Sequence, residues 1–394
     1  MFQFTELPPL SLYIHFPWCE RKCPYCDFNS HQPAGAIPEQ AYVDALLRDL
    51  ADDLPRVWGR AVQTVFIGGG TPSLLSVEAI DRLLSGLRAL LALRPEAEIT
   101  LEANPGSAEQ AHFSEYRAAG INRLSIGVQS FSDDSLQRLG RIHGRREAIA
   151  AAEMAHAAGF DNFNLDLMFA LPQQTPAQAA EDVATAIALE PAHISYYQLT
   201  LEPNTRFFAQ PPALPDDDSA WRIQQQGQTL LADAGYRQYE ISAHAREGWR
   251  CAHNVNYWQF GDYLGIGAGA HAKLSDAMQQ NITRLAKRRG PQDYLAAEHR
   301  EQRLQSERIV TRTEVGLEFM MNALRLTEGF APSLFAAHTG QPLTLVEAPL
   351  RQAEERGLLA WSVDNIRASE KGRLFLDDLL GIFAEGEKDG SGST

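Results

Sequence analysis

Apolar residues in the first half of the chain fall into six short runs, each closed by glycine, proline or polar residues. They are Leu10 to Phe16, Val62 to Gly70, Glu98 to Pro105, Asn122 to Ser130, Phe163 to Pro172 and His193 to Thr200. Their length and their content of Ile, Val, Leu and aromatics predict strands. Between them lie stretches in which apolar residues recur at helical spacing, such as AYVDALLRDLADDL and VEAIDRLLSGLRALLAL. This alternation predicts an α/β fold built of parallel βαβ units. The polar residues add a direction. Cys19, Gly68 to Thr71, Glu102, Gln129 and Asp166 all fall at or just past the C-terminal ends of these runs, or within their last turns. In βα barrels that end carries the site, because the loops converge there over a packed interior.

After Thr200 the pattern changes. LEPNTRFFAQPPALPDDDS reads as a proline- and acid-rich loop, AWRIQQQGQTLLADAG as a helix, and YWQFGDYLGIGAGAHAK as an irregular Gly/aromatic stretch. From about Ser306 several helical patterns surround a short ribbon in LAWSVDNIRAS, as in a small winged-helix-like module. The expected organisation is therefore a barrel over 1–200, an extension over 201–305, a helical domain over 306–382 and a polar tail over 383–394.

Composition narrows the function. The 394 residues are 44% hydrophobic and 22% charged, ordinary for a soluble protein with a sizeable core. A net charge of −15 argues against a surface that wraps nucleic acid, and the C-terminal module holds no concentrated basic helix. The basic run RLAKRRG (Arg284 to Gly290) reads as a solvated face. No run approaches the roughly 18 apolar residues of a membrane helix, and MFQFTELPPL lacks the basic start and apolar core of a signal peptide, so the expected location is cytoplasmic.

Three of the four cysteines, Cys19, Cys23 and Cys26, share one loop after the first run, with spacing C-x3-C-x2-C. Three thiolates on one loop suit three irons of a 4Fe–4S cube, with the fourth iron open to an exchangeable ligand. The competing readings are a zinc site, closed by Cys251 or a histidine, and a disulfide with a spare thiol. CERKCPYC after a strand, with an aromatic before the third Cys, resembles the signature of radical S-adenosylmethionine (SAM) proteins. That resemblance implies a cluster-bound SAM and its reductive cleavage.

Taken in order, YIHFPWCERKCPYCDF, FIGGGTPS, LEANP, GVQSF, LGRIHG and DLMFALP resemble the oxygen-independent coproporphyrinogen III oxidase group of that superfamily. The implied fold is a partial (β/α)6 TIM-like barrel with a mostly helical, winged-helix-like C-terminal domain. By motif match, Tyr13, Gly69, Gly70, Thr71, Glu102, Gln129, Arg141 and Asp166 would contact SAM.

Two departures point away from the oxidases. Phe28 stands where they carry a fourth Cys, and only twelve residues precede Tyr13 where they carry a longer extension. Both features match the HemW-type haem chaperones, as does HNVNYW, which fits their H-N-x-x-Y-W motif. The resemblance then implies that His253, Asn254, Tyr257 and Trp258 bind haem, with Cys251 as an alternative axial ligand. A neutral imidazole can ligate haem iron, and Tyr257 and Trp258 offer faces to a porphyrin. The implied partners are haem as cargo, client respiratory haem proteins, some at the inner membrane where the chain would be peripheral, and a second copy in a homodimer. The alternative is a true oxidase that decarboxylates coproporphyrinogen. GIGAGAH (Gly265 to His271) reads as a close-approach glycine loop around adenine or substrate, with His271 as a satisfied loop histidine.

Overall fold

The computed structural model describes residues 2–106 and 112–389. Each of the six apolar runs forms a strand: β1 (Leu10–Phe16), β2 (Ala61–Gly69), β3 (Ala92–Ala103), β4 (Arg123–Gln129), β5 (Phe163–Phe169) and β6 (His193–Gln198). They neighbour one another in chain order and pair in parallel. β1 and β5 are buried at nearly every position, as a sheet covered on both faces requires. The helix Val77–Leu90 covers one face with Leu83, Leu84 and Leu87, and the Ser76 side chain caps its first turn. β3 begins six residues before the expected Glu98, at Ala92. Its early residues are exposed and are recruited by pairing with Ala61 and Val62 rather than by burial.

Six further strands widen this core: β7 (Arg237–Glu240), β8 (Ala243–Ala245), β9 (Asp262–Ile266), β10 (His271–Asp276), β11 (Asn281–Lys287) and β12 (Leu304–Ile309). The sheet order is β12-β11-β10-β9-β1-β2-β3-β4-β5-β6-β8-β7 among the described residues. The stretch read as irregular is thus ordered, ending one helix (Ala252–Trp258) and supplying β9 and the start of β10. Its glycines hide the strand pattern because they answer to close backbone approach. A Cβ on Gly265 would meet the His271 carbonyl oxygen at 1.9 Å, and one on Gly267 (φ +101) the His15 carbonyl oxygen at 2.3 Å.

The C-terminal part comprises the helices Arg312–Ala323, Pro332–Thr339 and Glu347–Glu355, the ribbon β13 (Leu359–Trp361) and β14 (Ile366–Ala368), and two closing helices. Its core, around Phe319, Phe335, Leu350 and Ile366, also takes in Phe2 and Phe4 from the start of the chain. The last helix, Leu376–Asp389, buries Leu379, Ile382 and Phe383 and so takes in the start of the segment read as a polar tail. Residues 390–394 of that segment lie outside the described residues. No helix among the described residues is long and apolar enough to cross a membrane.

Candidate functional site: two adjoining cavities

The loop after β1 carries Cys19, Cys23 and Cys26 onto the wall of a cavity of about 310 Å3. Backbone bonds fix the start of this loop: Gly70 N–H donates to Phe16 O and Thr71 N–H to Trp18 O, both at 2.7 Å. All four cysteines are free thiols, so the disulfide reading has no counterpart. Cys251 is buried away from this cavity, with its Sγ 3.6 Å from Glu98 Oε1, and does not join the other three. Among the described residues no three His, Cys, Asp or Glu side chains gather as one ion's ligand set. A polynuclear cluster asks for something different, since each thiolate takes its own iron. Three thiols spread along one cavity wall fit that demand. Burial pushes the Cys19 and Cys26 thiols up, so metal binding there displaces protons.

The same cavity gathers Gly69, Gly70, Thr71, Glu102, Gln129 and Arg141 from the ends of β2 to β4 and the loops that follow, and Asp166 from the middle of β5. The glycines have a reason inside the protein itself. A Cβ on Gly70 would meet the Trp18 carbonyl oxygen at 2.2 Å, and one on Gly69 (φ +117) the His15 ring at 2.5 Å. Glu102 accepts from Gly69 N–H at 3.0 Å. Burial, with Asp166 adding to it, raises the Glu102 carboxyl to about 7. Asp166, raised by burial as well, accepts from Asn164 Nδ2 at 2.8 Å. Gln129 sits in the left-handed region (φ 68) and accepts the Tyr197 hydroxyl at 2.7 Å, a strained backbone held by its neighbours. Arg141 donates to Asn104 Oδ1 at 2.9 Å and Gly127 O at 2.8 Å, and reaches Cys23 Sγ at 3.6 Å. Its Nε is buried without a partner among the described residues. A spare guanidinium N–H fits a ligand carboxylate.

Three groups in or under this cavity were not singled out from sequence. Asn104, inside the quoted LEANP, links Arg141 to Thr71 through Nδ2 to Oγ1 at 3.0 Å. Tyr197, inside the sixth run, orients Gln129. Arg123, 2% exposed at the start of β4, lies near Glu98 and Asp166 and is a buried positive charge beneath the carboxylates. Nothing in its local sequence separates it from a surface arginine.

A second cavity, of about 660 Å3, adjoins the first and shares Phe28, Gly69 and Glu102 with it. Its volume lies inside the range of roughly 300–1,000 Å3 typical of cofactor sites. Tyr13, Tyr257, Trp258 and Tyr263 give it aromatic walls, and Lys273, Arg284, Lys287 and Arg289 give it positive charge. Tyr13 therefore faces this cavity rather than the one lined by the thiols. The run RLAKRRG, read as a solvated face, instead supplies wall residues: Arg284 shares one face of β11 with Ala286, Lys287 ends the strand, and Arg289 follows it. Lys287 is bound by the buried Asp49 and Asp53, and Arg284 by Glu318.

The HNVNYW residues separate on the helix Ala252–Trp258. Tyr257 and Trp258 line the larger cavity, whereas His253 and Asn254 line neither. His253 is 1% exposed; its Nδ1 bonds Thr64 Oγ1 at 2.8 Å and its Nε2 the Tyr257 hydroxyl at 2.9 Å. Burial lowers this imidazole to about 3, so it is neutral near pH 7. Its visible work is to hold Tyr257. His271, by contrast, lines the larger cavity, and its ring has no hydrogen-bond partner among the described residues.

Residues 13–186 match the Radical SAM superfamily, and residues 310–375 match the HemN C-terminal domain. The structure resembles coproporphyrinogen III oxidase HemN of Escherichia coli, a radical SAM enzyme. The TM-score is 0.80, at 25% identity over 96% of this chain and 90% of that one. Fold and thiol loop together define a radical SAM protein. Within that class, the heme chaperone HemW of Escherichia coli K12 is 51% identical over 379 residues, 96% of this chain and 99% of its own length. The heme chaperone HemW of Haemophilus influenzae is 49% identical over 382 residues, 96% of this chain and 98% of its own. The chain belongs to the HemW heme chaperone family.

Proposed function

We propose that the chain holds a 4Fe–4S cluster and SAM in the smaller cavity, holds haem in the larger one, and hands that haem to respiratory haem proteins. The observation that carries this reading is the larger cavity itself, with aromatic walls and a cationic mouth beside the thiol loop. A porphyrin is a flat apolar ring with carboxylates at one edge, and those walls and charges complement both parts. Cys19, Cys23 and Cys26 would hold the cluster, and bound SAM supplies one-electron chemistry at its sulfonium. Around it, Glu102 accepts from hydroxyl groups, Arg141 receives a carboxylate, and Gln129 is held in place by Tyr197. Phe28, 60% exposed, forms the wall the cavities share. It occupies the place of the fourth Cys of the oxidases, which supports a chaperone over an oxidase.

The test uses anaerobically reconstituted full-length chain. Ferric protoporphyrin IX added to it should give a saturable Soret change, and SAM added separately should perturb the cluster spectrum. Incubation with coproporphyrinogen should leave protoporphyrinogen at background. Robust protoporphyrinogen formation would replace the chaperone reading with the oxidase one.

A further inference from the structure

Resting on the haem reading above, we propose that His271 supplies the imidazole that ligates haem iron in the larger cavity, and that Arg289 takes a haem carboxylate at its mouth. Two histidines line this cavity, His15 and His271. Both nitrogens of His15 are engaged, Nδ1 with the Tyr13 hydroxyl and Nε2 with Asn29 O, each at 2.9 Å. His253, from the motif, is engaged at both nitrogens too and faces no cavity. To reach iron, either ring would have to break a buried hydrogen bond and leave its partner unpaired, at a cost of about 1–3 kcal/mol. His271 has no such bond to break.

Its backbone is nevertheless fixed. His271 opens β10, paired with Ala286 of β11, and its carbonyl lies against Gly265 so closely that a Cβ there would clash at 1.9 Å. The preceding turn is tied by Gly269 N–H to Arg288 O and by Lys287 N–H to Ala270 O, each at 2.8 Å. A metal ligand with a free ring on a rigid backbone is preorganised.

The cations around the cavity divide in the same way. Lys273, Lys287 and Arg284 already have carboxylate partners in Asp262, in Asp49 and Asp53, and in Glu318. Arg289 is exposed and has no ion pair among the described residues; its guanidinium makes one hydrogen bond there, Nε to Asn29 Oδ1 at 3.4 Å. Asn29 also donates through Nδ2 to Ala268 O at 2.9 Å and Arg289 O at 3.0 Å. The end of the thiol loop and the glycine loop before His271 are therefore joined by a single amide.

The experiment titrates ferric protoporphyrin IX and metal-free protoporphyrin IX separately into the reconstituted full-length chain and its His271→Ala, His253→Gln and Arg289→Gln variants. Absorption and electron paramagnetic resonance report the iron ligand. His271→Ala should lose the nitrogen-ligand signature, weaken ferric porphyrin binding by about tenfold or more, and keep its affinity for the metal-free ring. Added imidazole should restore the signature. Arg289→Gln should weaken both porphyrins alike while keeping the signature. An unchanged spectrum and affinity in His271→Ala would overturn the assignment, as would equal weakening of both porphyrins in that variant. Loss of the signature in His253→Gln instead would return the role to the motif histidine. If the parent chain itself shows no saturable binding of ferric porphyrin, the haem reading fails, an outcome distinct from failure of the ligand alone.

Discussion

The two cavities share Phe28, Gly69 and Glu102 but are built differently. The smaller is assembled from successive parallel strands and the loops after them, with carboxylates, an amide and a guanidinium held by bonds of 2.7–3.0 Å beside the three thiols. The larger is assembled from β1, the thiol loop, the helix Ala252–Trp258 and the antiparallel strands β10 and β11, and its walls are mostly aromatic faces and long cations. A densely bonded polar site suits a resident group that must be held in one orientation. A roomier aromatic site, with one unbonded imidazole and one unpaired arginine, suits cargo that enters and leaves. On the reading proposed above, the difference between a resident group and a cargo lies in how many of each site's polar groups are already satisfied.

The largest effect that separates the cavities is expected from Cys23→Ala. Iron and sulfide per chain should fall to background, while ferric protoporphyrin still titrates to saturation. Loss of both would mean that the cavities fold as one unit. Next is Gly70→Ala, where the new Cβ meets a backbone carbonyl at 2.2 Å and no side chain can give way. Denaturant unfolding should show a loss of about 1–3 kcal/mol or more, together with poor cluster incorporation.

Glu102→Gln carries a pH signature. The folded carboxyl is raised to about 7 from 4.5, so its favourable contribution is complete below pH 4.5 and is lost as pH rises through 7. The variant should therefore gain stability over the parent above pH 7, on the order of 1–3 kcal/mol, and none near pH 4. SAM affinity of the parent should rise as this group ionises, and the variant should show a flat profile; a rising profile in the variant would assign the dependence to another group.

His253 tests the other side. Its pKa is lowered to about 3, so the neutral ring stabilises the fold above pH 6.5 and that stabilisation is lost as pH falls. His15 and His244, each lowered to about 4, act in the same direction. Below pH 6.5 each such ring steepens the loss by up to about 1.4 kcal/mol per pH unit, and His253→Gln should flatten the acid limb of the stability curve. The smallest effect is expected from Phe28→Ala. This exposed ring should change unfolding free energy by no more than about 0.5 kcal/mol, while faster haem release would show that it matters as a wall.

The smaller cavity was largely legible in the sequence. Cys19, Cys23 and Cys26 lie on one loop, Glu102 and Gln129 end or nearly end recognisable strands, and Asp166 sits at the middle of β5. Tyr13 was the exception, since it lies on β1 and faces the larger cavity. The larger cavity was legible at Tyr257, Trp258 and the glycine loop GIGAGAH, read as a close approach around adenine or substrate. His271, read as a satisfied loop histidine, and Arg289, in a charge run read as a solvated face, looked ordinary until β10 and β11 pair.

By itself, then, the sequence determined the parallel strands, the thiol loop and the end of the barrel on which they meet. These follow from local order: a strand and the loop after it are contiguous, and parallel repetition points every such end the same way. Only the tertiary structure decided which histidine is spent on packing and which is left free. Thr64 meets His253 across 189 positions of chain, and Asn29 meets Ala268 across 239. Contacts of that range are set by how the extension packs against β1 and β2, and no local pattern in the chain records them.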